Sequence, residues 1–127
     1  MKYLLDTHAI IWMIDNSAKI PRRIKEITNM PQNEFYISAV SLWEIVLKMN
    51  LGKLELKSSF EELLAAVKTS DFVILQIEDV YLNILLELPL IHKDPFDRLI
   101  IASAIVEDLT IITADNNIQK YDVQWIW

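Results

Sequence analysis

Short apolar runs alternate with longer amphipathic stretches along the whole chain, and no other feature restricts the possible folds as strongly. KYLL (2–5), FYIS (35–38), FVILQI (72–77) and TIIT (110–113) read as strands, with VQWI (123–126) as an edge strand. Between them lie helical patterns. THAIIWMID (7–15) offers Ile11, Trp12 and Ile14 as an apolar face, and Pro21 opens a basic helix, RRIKEITNM. SAVSLWEIVLKMNLGKLEL contains a helix with Leu42, Ile45, Val46 and Met49 on one side, ended by Gly52. FEELLAAVK and DVYLNILLEL are further helices, and HKDPFDR (92–98) introduces the longest apolar one. Strands that alternate with helices pair in parallel and are covered on both faces. The pattern therefore predicts an α/β fold with three α/β/α layers around a mainly parallel sheet of four to five strands. No repeat, low-complexity tract or linker interrupts it, so residues 1–127 read as one domain.

Composition narrows the chemistry. Hydrophobic residues make up 53% of the chain, enough for one core with a surplus that predicts a partner or dimer surface. No long uncharged apolar stretch predicts a membrane span, and MKYLLDTHAIIWMID meets acids too early for a signal peptide. With no cysteine, thiol catalysis, disulfides and Cys-based zinc sites are excluded, which fits a cytoplasmic setting. There is a single glycine, Gly52, so neither a Walker A loop nor a dinucleotide fingerprint can be built. A net charge of −6 argues against gripping nucleic acid by bulk electrostatics, but not against a nuclease whose acids are offset by metal.

The acids fall where such a sheet places its ligands, at the carboxyl ends of the strands. Asp6 follows the first strand, Glu44 lies in the first turn or so of the helix after the second, and Asp115 follows the fourth. Asp94 and Asp97 flank Pro95 at the head of the long helix. Each has a purely structural explanation. Asp6 can cap a helix; Ser41 and Glu44 can form a capping box in SLWE; Asp115 can hold the turn ADNN; Asp94 and Asp97 can form a reciprocal cap. Capping does not, however, require the caps to gather at one edge. Two carboxylates 4 Å apart repel by roughly 4 kcal/mol at an effective dielectric of 20. A gathered set therefore calls for cations, and oxygen ligands select Mg²⁺ or Mn²⁺. A metal-activated water then supplies the nucleophile for phosphodiester cleavage that no side chain here provides.

Four stretches in this order resemble a PIN-domain ribonuclease of the VapC toxin type: LLDTHAIIW, SAVSLWEIVLKMNLGKLEL, HKDPFDRLIIASAI and ITAD. The DPFDR form is similar to one VapC-like branch. The resemblance implies that Asp6, Glu44, Asp97 and Asp115 form the divalent-metal and catalytic site, with Thr7 and Thr113 supporting the acids or bound water. It makes Asp97 the catalytic position, while Asp94 starts the helix. It also implies an RNA substrate, a cognate VapB-like antitoxin and a homodimer. Lys48, Lys53, Lys93 and Arg98 are the basic residues nearest the acid edge in sequence and are candidates for phosphate contact; Arg98 could instead pair with Asp94. Trp12 and Trp43 read as core or dimer packing. His8 reads equally as a rim residue or a substrate contact, and His92 as surface polarity. The alternative is a PIN-like module that binds RNA or protein without cutting. A haloacid-dehalogenase-type phosphatase is excluded by His8 and Ala9, where a second Asp and a glycine would be needed, and a receiver-like domain by the absence of paired acids after the first strand.

Overall fold

A computed structural model describes all residues from Met1 to Trp127. Five strands, β1 (Lys2–Leu5), β2 (Glu34–Ser38), β3 (Phe72–Leu75), β4 (Thr110–Ile112) and β5 (Trp125–Ile126), form one sheet in the order β3-β2-β1-β4-β5. Every pairing is parallel. In the central strand, Leu5 pairs with Ile37 on one side and Ile112 on the other. Strands β3 and β5 are shorter than FVILQI and VQWI suggest.

Strand periodicity sorts the core into two layers. Tyr3, Leu5 and Ile112 point to one face, where they pack with α1 (Thr7–Ile14), α2 (Arg22–Thr28), α3 (Ala39–Asn50) and α4 (Phe60–Thr69). Leu4 and Ile111 point to the other, against α5 (Asp79–Glu87), α6 (Pro95–Glu107) and Ile118 of α7 (Asn116–Gln119). Helix α6 is the interior member: Arg98 through Ala104 are all buried. That explains why its sequence is apolar nearly all round.

Two boundaries differ from the sequence expectation. Helix α3 begins directly after β2 and is capped by Ser38, whose hydroxyl accepts from the Val40 N–H at 3.2 Å. Ser41 is therefore inside the helix and Glu44 in its second turn, so the Ser41–Glu44 capping box does not form. The tail of Asp115 is also more than a turn, because it caps the short helix α7. Gly52 does end α3: with φ at +68°, it lets its own N–H reach Met49 O and that of Lys53 reach Lys48 O. No helix is long and apolar enough to cross a membrane.

The sheet grows outward from β1 in both directions, through β2 to β3 and through β4 to β5. The order thus reverses between β1 and β4, and the crevice outside their carboxyl ends is where such folds bind ligands.

Candidate active site

Asp6 leaves β1 at that crevice. Its N–H still pairs with Ile112 O of β4, while its carboxylate caps α1 by accepting from the Ala9 N–H at 2.8 Å. The other carboxylate oxygen accepts from the Thr113 hydroxyl. Thr113, fully buried at the end of β4, also accepts from the Asp115 N–H at 3.0 Å, so one hydroxyl ties Asp6 to the segment carrying Asp115. Asp115 in turn caps α7 through the Asn117 N–H at 2.7 Å. Capping and gathering occur together here, because strand ends and helix starts coincide.

Glu44 reaches the same edge from α3 and is buried. Its Oε1 accepts from the Thr7 hydroxyl at 2.6 Å, and its Oε2 lies 2.7 Å from the Lys48 ammonium. The Ser41 hydroxyl is 3.1 Å from that of Thr7, so Ser41 belongs to this support. Asp97 comes from α6. Asp94 caps that helix by accepting from the Asp97 N–H at 3.0 Å, with Pro95 as the first helical residue. The Asp97 carboxylate does not reach back to complete the reciprocal cap. Its Oδ2 lies instead 3.1 Å from His92 Nε2.

Two of the acids are shifted by their surroundings. Burial pushes the Asp97 carboxyl up to about 7; the hydrogen bond with His92 opposes this, while the charges of Asp94, Asp115 and Glu44 add to it. Burial also raises Asp6, outweighing its hydrogen bonds from Thr113 and Ala9, and Asp115 adds to the rise. Desolvation works against the Lys48 ammonium, but the hydrogen bond and charge of Glu44, with Asp94 and Asp97 beyond, hold its pKa above the usual value. A cleft of about 170 Å³ opens beside Asp6 and Asp115, lined also by His8, Trp12 and Ala114.

The donors are carboxylate oxygens without a thiolate, a set suited to a hard cation. No three acidic or imidazole groups converge closely enough to ligate one ion directly. Mg²⁺ commonly binds through one or two carboxylates and keeps several waters, and the pair lining the cleft, Asp6 and Asp115, fits that habit.

The basic residues fare differently. Lys48 is engaged with Glu44, while Lys53 and Lys93 are exposed, Lys53 beyond the far end of α3. Arg98 is a correction: it is buried, and its guanidinium donates to Leu88 O, Pro89 O and the Tyr121 hydroxyl. It is therefore unavailable to phosphate and does not pair with Asp94. His92 is not surface polarity either; its side chain is 12% exposed and bridges Asp97 to Tyr121. Trp43 is 59% exposed beside Phe96, so it is not core, whereas Trp12 packs against Trp127. His92 sat in view within HKDPFDR, but nothing local to Tyr121 signals its part.

In structure, the chain resembles one of VapBC2 from Rickettsia felis in a complex bound to a promoter DNA fragment. That match has a TM-score of 0.72 and 20% identity, over 99% of this chain and 98% of the other. It also resembles a chain of FitAcB from Neisseria gonorrhoeae, with a TM-score of 0.67 and 20% identity over 98% and 96%. A chain of a toxin–antitoxin complex from Klebsiella pneumoniae matches with a TM-score of 0.63 and 21% identity over 98% and 96%. These likenesses concern the fold. A comparison with curated protein sequences finds no match. The model of the PIN domain matches residues 3–124, nearly the whole sequence, and the chain belongs to the PIN-domain family.

Proposed function

We propose that this protein is a divalent-metal-dependent endoribonuclease that acts as the toxin of a toxin–antitoxin pair. The observation that carries the reading is the pair Asp6 and Asp115 lining one cleft past the ends of β1 and β4, with the charges of Asp115 and Glu44 reaching Asp97 from other segments. A bound Mg²⁺ or Mn²⁺ would offset this charge, lower the pKa of a coordinated water and stabilise the oxyanions of an in-line displacement. Asp6 and Asp115, which line the cleft, would hold the cation, and Glu44 and Asp97 would act through its waters. Thr113 and Thr7 fix the orientation of Asp6 and Glu44 by donating to one oxygen of each, leaving the remaining lone pairs for the site. Lys48, paired with Glu44, would be one contact for a phosphate and the exposed Lys93 a second.

The partner reading is supported by the fold likeness to chains of VapBC and FitAB assemblies and by the DPFDR stretch. A VapB-like antitoxin occupies the acidic crevice, and a second copy of the chain covers part of the exposed apolar surface. Trp43, Leu51, Leu86 and Leu90 are all more than half exposed on that surface. The test is cleavage of RNA by purified protein in Mg²⁺ or Mn²⁺. Activity should vanish with a chelator and in Asp6→Asn, and expression should arrest growth unless the partner gene is co-expressed. Cleavage that survives Asp6→Asn and Asp97→Asn, or no cleavage of any RNA, defeats the catalytic assignment.

A further inference from the structure

The segment preceding α6 is tied down by a chain of hydrogen bonds that ends on a candidate metal ligand. Arg98 Nη1 donates to Pro89 O at 2.7 Å and to the Tyr121 hydroxyl at 3.0 Å, and its Nη2 donates to Leu88 O at 3.1 Å. The backbone N–H of His92 donates to the same phenol oxygen at 3.2 Å. That oxygen thus accepts from two N–H groups, which uses its acceptor capacity. Its own proton must then be donated. His92 Nδ1 lies 2.7 Å away, whereas the His92 carbonyl is at 3.5 Å, the limit of a hydrogen bond. Nδ1 is therefore an acceptor without a proton. In the neutral imidazole the proton then sits on Nε2, which faces Asp97 Oδ2 at 3.1 Å.

We propose that His92 is a positioning residue for Asp97: its Nε2–H holds Oδ2, and the Tyr121 hydroxyl fixes the tautomer that makes this possible. The role in metal binding rests on the nuclease reading above; the tautomer does not. Asp97 is then aimed from two directions. The Asp94 cap holds its main chain and His92 holds one oxygen, so Oδ1 is left to turn toward the crevice. The buried Arg98 acts one step further back, by holding the phenol and the carbonyls of the strap that carries His92. Outer partners of this kind typically alter metal affinity or activity 10–100-fold when removed.

Two measurements test this. The first is the ¹⁵N spectrum of the His92 ring in metal-free protein. It should show Nδ1 unprotonated and Nε2 protonated, and Tyr121→Phe should let the ring sample the other tautomer. The second is Mn²⁺ affinity by calorimetry, read beside kcat and KM for RNA. His92→Ala should weaken Mn²⁺ about tenfold or more, with the loss of activity in kcat rather than in KM. His92→Gln, whose amide nitrogen reaches the place of Nε2, should recover most of the affinity. A proton on Nδ1, or His92→Ala binding Mn²⁺ as well as the unaltered protein, overturns the proposal, as does a folded His92→Gln no better than His92→Ala. If the tautomer and the Mn²⁺ pattern hold but no RNA is cut, the positioning role stands and the nuclease reading falls.

Discussion

Asp6 and Glu44 on the one hand, and Asp97 and Asp115 on the other, carry the same functional group in different mountings. The first two are buried, and each is clamped by a threonine hydroxyl from another element: Thr113 from the end of β4 and Thr7 from the start of α1. The second two are partly open to solvent and have no threonine clamp on the carboxylate; His92 meets Asp97, and the Asp115 carboxylate accepts only from the Asn117 N–H. Asp6 takes its geometry from the end of β1 and Glu44 from the second turn of α3, and burial with the threonine clamps holds both in place. The outer pair takes its geometry from the first turns of α6 and α7, where a single residue adjusts the aim. A cation would thus meet a fixed floor and an adjustable rim.

That contrast can be broken most severely at the floor. Asp6→Asn should leave the fold in place and lower RNA cleavage by about a hundredfold or more, since several kcal/mol of charge stabilisation are at stake. Initial rates at saturating Mn²⁺ would measure it, and a loss under tenfold would mean that Asp6 is only a helix cap. Removing the clamps comes next. Thr113→Val deprives Asp6 Oδ2 of its donor and the Asp115 N–H of its acceptor, and should cost about 1–3 kcal/mol in denaturant unfolding. Thr7→Val should cost less, because Lys48 remains on Glu44.

At the rim the expected effects are smaller. Asp94→Ala removes a cap and should cost about 1 kcal/mol, while leaving His92 to hold Asp97. If cleavage falls as far as in Asp6→Asn, the rim is no more adjustable than the floor. The gentlest probe is pH. An unfolded Asp97 loses its proton near 3.8, whereas the folded one keeps it to about 7. Between these values the folded state binds the extra proton, so metal-free stability should fall as pH rises from about 4 to about 7 and then level. Asp6, also raised, contributes in the same direction. Thermal midpoints should show the decline, Asp97→Asn should flatten it, and Mn²⁺ should offset it most at the alkaline end.

Much of this could be read from residues in order. Alternation placed the strands, and Asp94–Pro95 announced the start of α6. The four acids stood at strand ends and helix starts, which a parallel sheet brings to one edge. These signals are local or periodic, and a chain displays them before it folds. Other features depended on what came to lie alongside. Ser38 rather than Ser41 caps α3 because the strand passes into the helix without a turn, which makes Ser41 a neighbour of Thr7. Arg98 looked like a phosphate contact until the carbonyls of Leu88 and Pro89 and the hydroxyl of Tyr121 surrounded it. Sequence alone thus determined the layers of this protein, the inventory of acids and the caps that start their helices. Tertiary structure decided how the carboxylates of Asp6, Glu44 and Asp97 are held, because that depends on Thr7, Thr113, His92 and Tyr121. Of these donors and relays, only His92 lies within a few residues of the carboxylate it serves; the others meet theirs only once the sheet is assembled.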